Sequence, residues 1–313
     1  MNLIKQGKYF ITLLLLQICN LSCNFNSQVG QEFEIHIDGS STAYPITEAV
    51  AEEYRHQFPN VRITIGISGS GGGFKKFVRS ETDILMSSRE ITSSERQSML
   101  LEGKEFLALP IARDAIAIIV HPENRWVDSL SAAELNLIWG ASSQDEVTLW
   151  SDSRPNWPAK EIHLFGPGTA SGTYDNFVKN ICPESGTRGD YTASEDDNIL
   201  VQGIARDKYS LGFFGLPYYI ENKNILKVVP IDFGQGAHVA SAENILNQSY
   251  EPLTRKIYIY ITKEKARRKD IFQFTNFFIT SSKKLSQEVG YVPLSENLYT
   301  QALQDFKSFT EER

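Results

Sequence analysis

Only three cysteines occur in 313 residues, Cys19, Cys23 and Cys182. Two fall in the N-terminal leader region and the third stands alone, so no internal disulfide is expected and packing must hold the fold. Histidine is sparse as well: His36, His56, His121, His163 and His238 are scattered, with no pair at metal-ligand spacing. No metal site and no cofactor are therefore expected. An excess of positive charge is missing too, because 31 Lys and Arg face 38 Asp and Glu for a formal net charge of −7. That balance argues against nucleic acid as a partner. Internal repeats and long low-complexity segments are absent.

Several catalytic and nucleotide signatures also fail. No Gly-Lys-Ser/Thr follows the glycine-rich stretch 69–73, which excludes a Walker loop, and Gly69-x-Gly71 is followed three residues later by Phe74, which excludes the dinucleotide fingerprint. Gly66-Ile-Ser68-Gly-Ser70 ends in serine where a nucleophile elbow needs glycine. Glu195-Asp196-Asp197 is a carboxylate cluster, and its position before a helix suits the positive end of the helix dipole.

What the chain does have is one pattern used three times. Residues 61–67 form an apolar, β-branched run that leads through Ser68, Gly69, Ser70, Gly71, Gly72 and Gly73 into Phe74, Phe77 and Val78 at helical spacing. The alternating strand around Ile35 and Ile37 leads through Asp38, Gly39, Ser40, Ser41 and Thr42 into a helix opened by Tyr44-Pro45. The strand near Ile162 leads through residues 166–173, with Ser171, Gly172 and Thr173, into Tyr174, Phe177 and Val178. Each junction delivers hydroxyls and unpaired backbone N–H groups at a helix start, which is a setting for a small anion. Each taken singly is also what an ordinary N-cap looks like. A fourth short apolar run, 83–86, ends in Ser87-Ser88-Arg89, and Arg89 is the expected cation because its guanidinium offers a fork to an oxyanion.

Residues 1–22 read as a signal peptide, with Lys5 and Lys8 before a short apolar core at 9–18 that is too brief to span a bilayer. Asn20-Leu21-Ser22-Cys23 resembles a lipobox, which makes Cys23 the expected lipidation site and 23–32 a tether. Cleavage nearer Ser27, giving a secreted protein without an anchor, is the alternative. Removing residues 1–22, whose only charges are Lys5 and Lys8, takes the net charge from −7 to −9. Beyond the leader, strands and helices alternate. Helices are expected at 92–102, after the capping box Ser131-Ala132-Ala133-Glu134, at 197–206 and at 271–279. Residues 106–111 and 115–120 read as an apolar run broken by Arg113-Asp114, 145–160 as a structured loop, and 253–261 as a strand returning to the first half.

Together DGSSTAYPITEAVAEEY, SGSGGGFKKF with TDILMSSREI, GPGTASGTYDNF, SEDDNILVQGIARDKYSLGFFGLPYY and GYVPLSENLY resemble the substrate-binding lipoprotein of the ABC-type phosphate uptake system. The resemblance runs from about residue 34 to about 298. It implies a two-lobed α/β fold of the periplasmic-binding-protein type II class, with lobe 1 at 33–117 and 255–313 and lobe 2 at 118–254. The crossing segments would lie near 113–120 and 250–261. It implies phosphate held in the cleft by Ser41, Thr42, Ser70, Gly71, Ser88, Arg89, Ser171, Gly172 and Thr173. The partner would be a transmembrane permease, and the protein an exported, lipid-anchored monomer without catalytic residues.

The better-known branch of that family has aspartate where Ser88 stands and arginine where Pro167 stands. The carboxylate that accepts the ligand's proton must then come from elsewhere, and Asp38 and Asp197 are the candidates. The alternatives are an extracytoplasmic phosphatase, or a binding protein for another tetrahedral oxyanion such as sulfate or molybdate.

Overall fold

A computed structural model describes residues 33–311. The leader 1–22, the tether 23–32 and Cys23 lie outside the described residues. Strict alternation shapes β1 (Phe33–Gly39), where Ile35 and Ile37 are buried between exposed Glu34 and His36. β2 (Val61–Ile67) follows α1 (Tyr44–Gln57), which turns Ile46, Val50, Ala51 and Tyr54 inward at helical spacing and takes Pro45 in its first turn. α2 (Gly69–Val78) leads to β3 (Ile84–Ser87), a fully buried strand parallel to β1 with Ile37 opposite Ile84. α3 (Ser93–Leu101) falls within the expected 92–102, and Thr92 and Glu95 close a capping box at its start.

β4 (Phe106–Val120) is one continuous strand of 15 residues, where the sequence suggested two runs broken at Arg113-Asp114. The charge does not interrupt the strand because Asp114 is fully buried against Arg255 of β12 (Thr254–Thr262), with 2.9 Å between Oδ2 and Nη2. β4 serves both halves of the molecule. Its residues 106–115 pair with β12, and 116–120 pair with β8 (Ser210–Gly215).

In the second half, β5 (Leu130–Ser131) precedes α4 (Ala132–Trp139), which has the expected capping box and ends at Gly140. Next come β6 (His163–Pro167), α5 (Gly172–Ile181), β7 (Thr192–Ser194) and α6 (Asp197–Ala205), then β8 and β9 (Lys227–Val228). The loop 145–160 contains a short helical turn, Trp150–Ser153, and is fastened by Trp150, whose indole N–H donates to the Tyr209 carbonyl at 3.1 Å. Among the described residues the main sheet runs β2-β1-β3-β12-β4-β8-β6-β7, with β9 also on β4. A small second sheet joins β5 to β10 (Ile231–Asp232) and β11 (Ala237–His238). After β12, α7 (Lys269–Glu288) is longer than the expected 271–279, and α8 (Glu296–Glu311) was not anticipated.

Three apolar clusters result. One gathers residues from 115–253 together with Val292; the other two, the smaller built on Phe74, Phe77, Leu85, Met99, Tyr258 and Tyr260, draw on 35–112 and 257–306. They define two lobes, between which the chain passes where β4 changes partners; there the Ile116 N–H donates to the Leu253 carbonyl at 2.9 Å.

Candidate functional site in the cleft

Four strand-to-helix junctions meet between the lobes. From the first lobe come the turn Ser41–Ala43 ahead of α1 and the start of α2; from the second come the starts of α5 and α6. The glycines expected as a loop after β2 are instead the opening turns of α2, and Gly69 begins it at φ +73°, a backbone that only glycine adopts without strain. Their small size lets the other lobe close over them: the Gly71 N–H donates across the cleft to the Ala170 carbonyl at 2.8 Å.

The expected hydroxyls form one buried cluster. Ser40 Oγ donates to Ser88 Oγ at 2.9 Å, the Ser70 and Ser88 hydroxyls lie 3.4 Å apart, and the Ser88 N–H donates to Ser70 Oγ at 3.2 Å. Gly172 of the other lobe presses onto them. A Cβ there would stand 2.7 Å from both Ser70 Oγ and Ser88 Oγ. Alongside, Thr42 and Thr173 share a hydrogen bond of 2.8 Å between the lobes. Ser171 caps α5 by accepting from the Thr173 N–H at 3.1 Å, and Ser41 is buried with its carbonyl held by the Tyr218 hydroxyl at 2.9 Å. Thus Ser41, Thr42, Ser70, Gly71, Ser88, Ser171, Gly172 and Thr173 are brought together.

Arg89 is placed differently from the expectation. Its Nη1 and Nη2 donate to the two oxygens of Glu95 at 2.8 Å, and Nε donates to Asp175 of the second lobe at 2.6 Å. Burial alone would lower its proton affinity, yet the two carboxylates outweigh burial and raise it. With its fork occupied by Glu95, Arg89 joins the lobes beside the cluster.

The cation that does face inward is Arg255, which the sequence reading missed. Its Nε and Nη2 donate to Asp114 Oδ2 at 3.1 and 2.9 Å, and Nη2 also reaches the Thr42 hydroxyl at 3.3 Å. Nη1 is buried with no hydrogen-bond partner among the described residues. A buried donor of this kind is costly unless something accepts from it. The signal was present in the sequence: a charged pair inside the apolar run of β4, and Arg255-Lys256 at the head of a returning strand whose next residues alternate Ile and Tyr.

The two acceptor candidates separate clearly. Asp38 pairs with Lys76 at 2.5 Å and takes the Ser68 hydroxyl, so it is used up within the first lobe. Asp197, at the start of α6, is fully buried; one oxygen lies 3.5 Å from the Thr42 hydroxyl and the other has no partner among the described residues. Burial pushes its carboxyl up to about 7, against the opposing pull of the Ser41 hydroxyl and Arg255. The cluster therefore combines many neutral donors, one forked cation and one carboxyl poised near neutrality. Such a set can hold a small oxyanion that retains a proton, away from water. Among the described residues no group of three or more His, Cys, Asp or Glu could hold a metal ion.

Two α/β lobes meeting over a buried polar cluster at helix starts define a substrate-binding protein of the bilobal kind. The chain belongs to the PBP superfamily, whose domain model matches residues 26–282. It is 44% identical over 272 residues to protein SphX of Synechococcus elongatus, covering 87% of this chain and 80% of the relative. It is 32% identical over 289 residues to the phosphate-binding protein PstS of Staphylococcus saprophyticus, covering 92% and 88%. Among solved structures, a possible phosphate binding protein from Planctomyces limnophilus matches at TM-score 0.64 and 38% identity, over 89% of this chain and 99% of that one. A putative phosphate transporter substrate-binding protein with bound phosphate from Clostridium perfringens shares the fold at TM-score 0.70 and 21% identity, over 84% of this chain and all of that one.

Proposed function

We propose that this protein binds inorganic phosphate outside the cytoplasmic membrane and hands it to an ABC-type permease. The observation that carries the reading is the buried pair of unpartnered atoms, Arg255 Nη1 and Asp197 Oδ1, on two side chains that both reach the Thr42 hydroxyl. The name of the Staphylococcus saprophyticus relative supports the ligand. Arg255 supplies the charge for the anion. Asp197 accepts the proton that phosphate keeps near neutral pH and sulfate lacks, so a sulfate oxygen would face a bare carboxylate.

In this reading the lobes are 33–117 with 255–313, and 118–254, and they hinge where β4 and β12 cross. The protein carries cargo and performs no catalysis. It acts as a monomer, exported by residues 1–22 and anchored through Cys23. No helix among the described residues is long and apolar enough to cross a membrane. Release from the membrane fraction on Cys23→Ala tests the anchor. Calorimetric titration with phosphate, sulfate, molybdate and arsenate tests the ligand: phosphate and arsenate, which both keep a proton, should bind, and sulfate should not. Equal binding of sulfate would contradict the assignment.

A further inference from the structure

Two exposed lysines stand beside the buried cluster. A groove of about 720 Å³ has Ser88 and Arg255 among its lining residues, the one from the hydroxyl group and the other the inward cation, so it opens onto both halves of the site. Its outer walls carry Lys179 near the end of α5 and Lys256 on β12. Both lysines are exposed, and neither lies within ion-pair distance of a carboxylate among the described residues. The other charged groups lining it are Arg89, Glu90 and Asp175. Asp175 is matched by Arg89 at 2.6 Å, and Glu90 accepts the Tyr258 hydroxyl at 2.9 Å. Counting Glu95 on Arg89 and Asp114 on Arg255, four cations face four carboxylates here, and Lys179 and Lys256 are the two cations not engaged by one, on a chain whose formal net charge is −7.

Resting on the phosphate reading above, we infer that Lys179 and Lys256 form an electrostatic entrance that draws phosphate into the cleft without contacting it in the bound state. Exposed cations without a carboxylate partner raise the encounter rate of an anion that the net charge repels. The two lysines come from different elements, one from a second-lobe helix and one from the crossing strand. Being exposed and unpaired, they keep their charge directed at solvent. Being outside the hydroxyl cluster, they leave dissociation to the buried donors. The role is kinetic.

The test is rapid filtration of radiolabelled phosphate on the immobilised full-length protein, with an unlabelled chase for dissociation, comparing the unaltered chain with the double variant Lys179→Gln, Lys256→Gln. At low ionic strength the association rate constant should fall by about threefold to tenfold, within the range electrostatic steering spans. The gap should close as salt brings the screening length from ~30 Å at 0.01 M towards ~3 Å at 1 M. The dissociation rate should be unchanged. An unchanged association rate at low salt overturns the inference, and so does faster dissociation, which would make the lysines direct ligands. Failure of the unaltered protein to take up phosphate would overturn the ligand reading and the entrance with it. Failure confined to the variant comparison overturns the entrance alone.

Discussion

Arg255 and Thr42 stand 213 positions apart in the chain, yet the guanidinium Nη2 of one lies 3.3 Å from the hydroxyl of the other. The same guanidinium is braced from behind by Asp114, so its remaining Nη1 is fixed in place before any ligand arrives. Preorganisation of this kind spares the ordering of a long side chain on binding.

Arg255→Lys keeps a charge but loses the fork that spans Asp114 and Thr42. Phosphate affinity should weaken by about 2–5 kcal/mol, the range for disturbing a buried hydrogen-bonded charge pair. Some thermal stability should go as well, because Asp114 is buried and would be left poorly paired. Calorimetry gives the first quantity and a melting curve the second. An affinity unchanged within error would remove Arg255 from the site.

Arg89→Ala should behave otherwise. Its partner across the lobes, Asp175, is 42% accessible, so that pair contributes on the modest scale of surface ion pairs, about 0–1 kcal/mol. The expected result is a small affinity loss accompanied by a larger radius of gyration in solution scattering, because a link between the lobes is gone. A loss as large as that of the Arg255 variant would show that Arg89 touches the ligand.

Gly172→Ala should fill the contact between the lobes. The new methyl would stand 2.7 Å from Ser70 Oγ and Ser88 Oγ and 3.0 Å from Arg89 Cγ, distances at which atoms must move apart. Each lobe keeps its own core, so the melting temperature without ligand should shift little while phosphate affinity falls tenfold or more, that is by at least ~1.4 kcal/mol. Unaltered affinity would mean that the lobes do not close to this distance when the ligand is held.

Asp197 sets a pH dependence. Its carboxyl is raised by burial to about 7 in the folded protein, whereas an unfolded aspartate titrates near 3.9. A raised carboxyl favours the fold when protonated, so its contribution is complete below about pH 4 and is lost as pH rises towards and through about 7. Ligand-free protein should therefore melt at a lower temperature at pH 8 than at pH 6, and Asp197→Asn should flatten that difference. A slope identical in the variant would place the titrating group elsewhere.

Much of this was legible in the sequence because it is local. The strand-to-helix junctions at Ser41, Gly71 and Ser171, and the capping box at Ser131, are written in adjacent residues with fixed geometry. What was not legible is pairing across the chain. Nothing near Arg89 announces that Glu95 and Asp175 will occupy its guanidinium. Nothing near Arg113-Asp114 announces that a residue 141 positions later will bury and neutralise Asp114, turning an apparent break into a continuous strand. Asp38 and Asp197 likewise look alike as acidic residues near helix starts, and only Lys76, Ser68 and Thr42 tell them apart.

The claim that Arg255 and Asp197 hold the anion is tested most directly by a crystal structure of the protein grown with phosphate. The account predicts the anion within hydrogen-bond distance of Arg255 Nη1 and of the Asp197 carboxyl, among the Thr42, Ser70 and Ser88 hydroxyls, with Arg89 still paired to Glu95. Phosphate bound to Arg89, with Arg255 untouched, would contradict it.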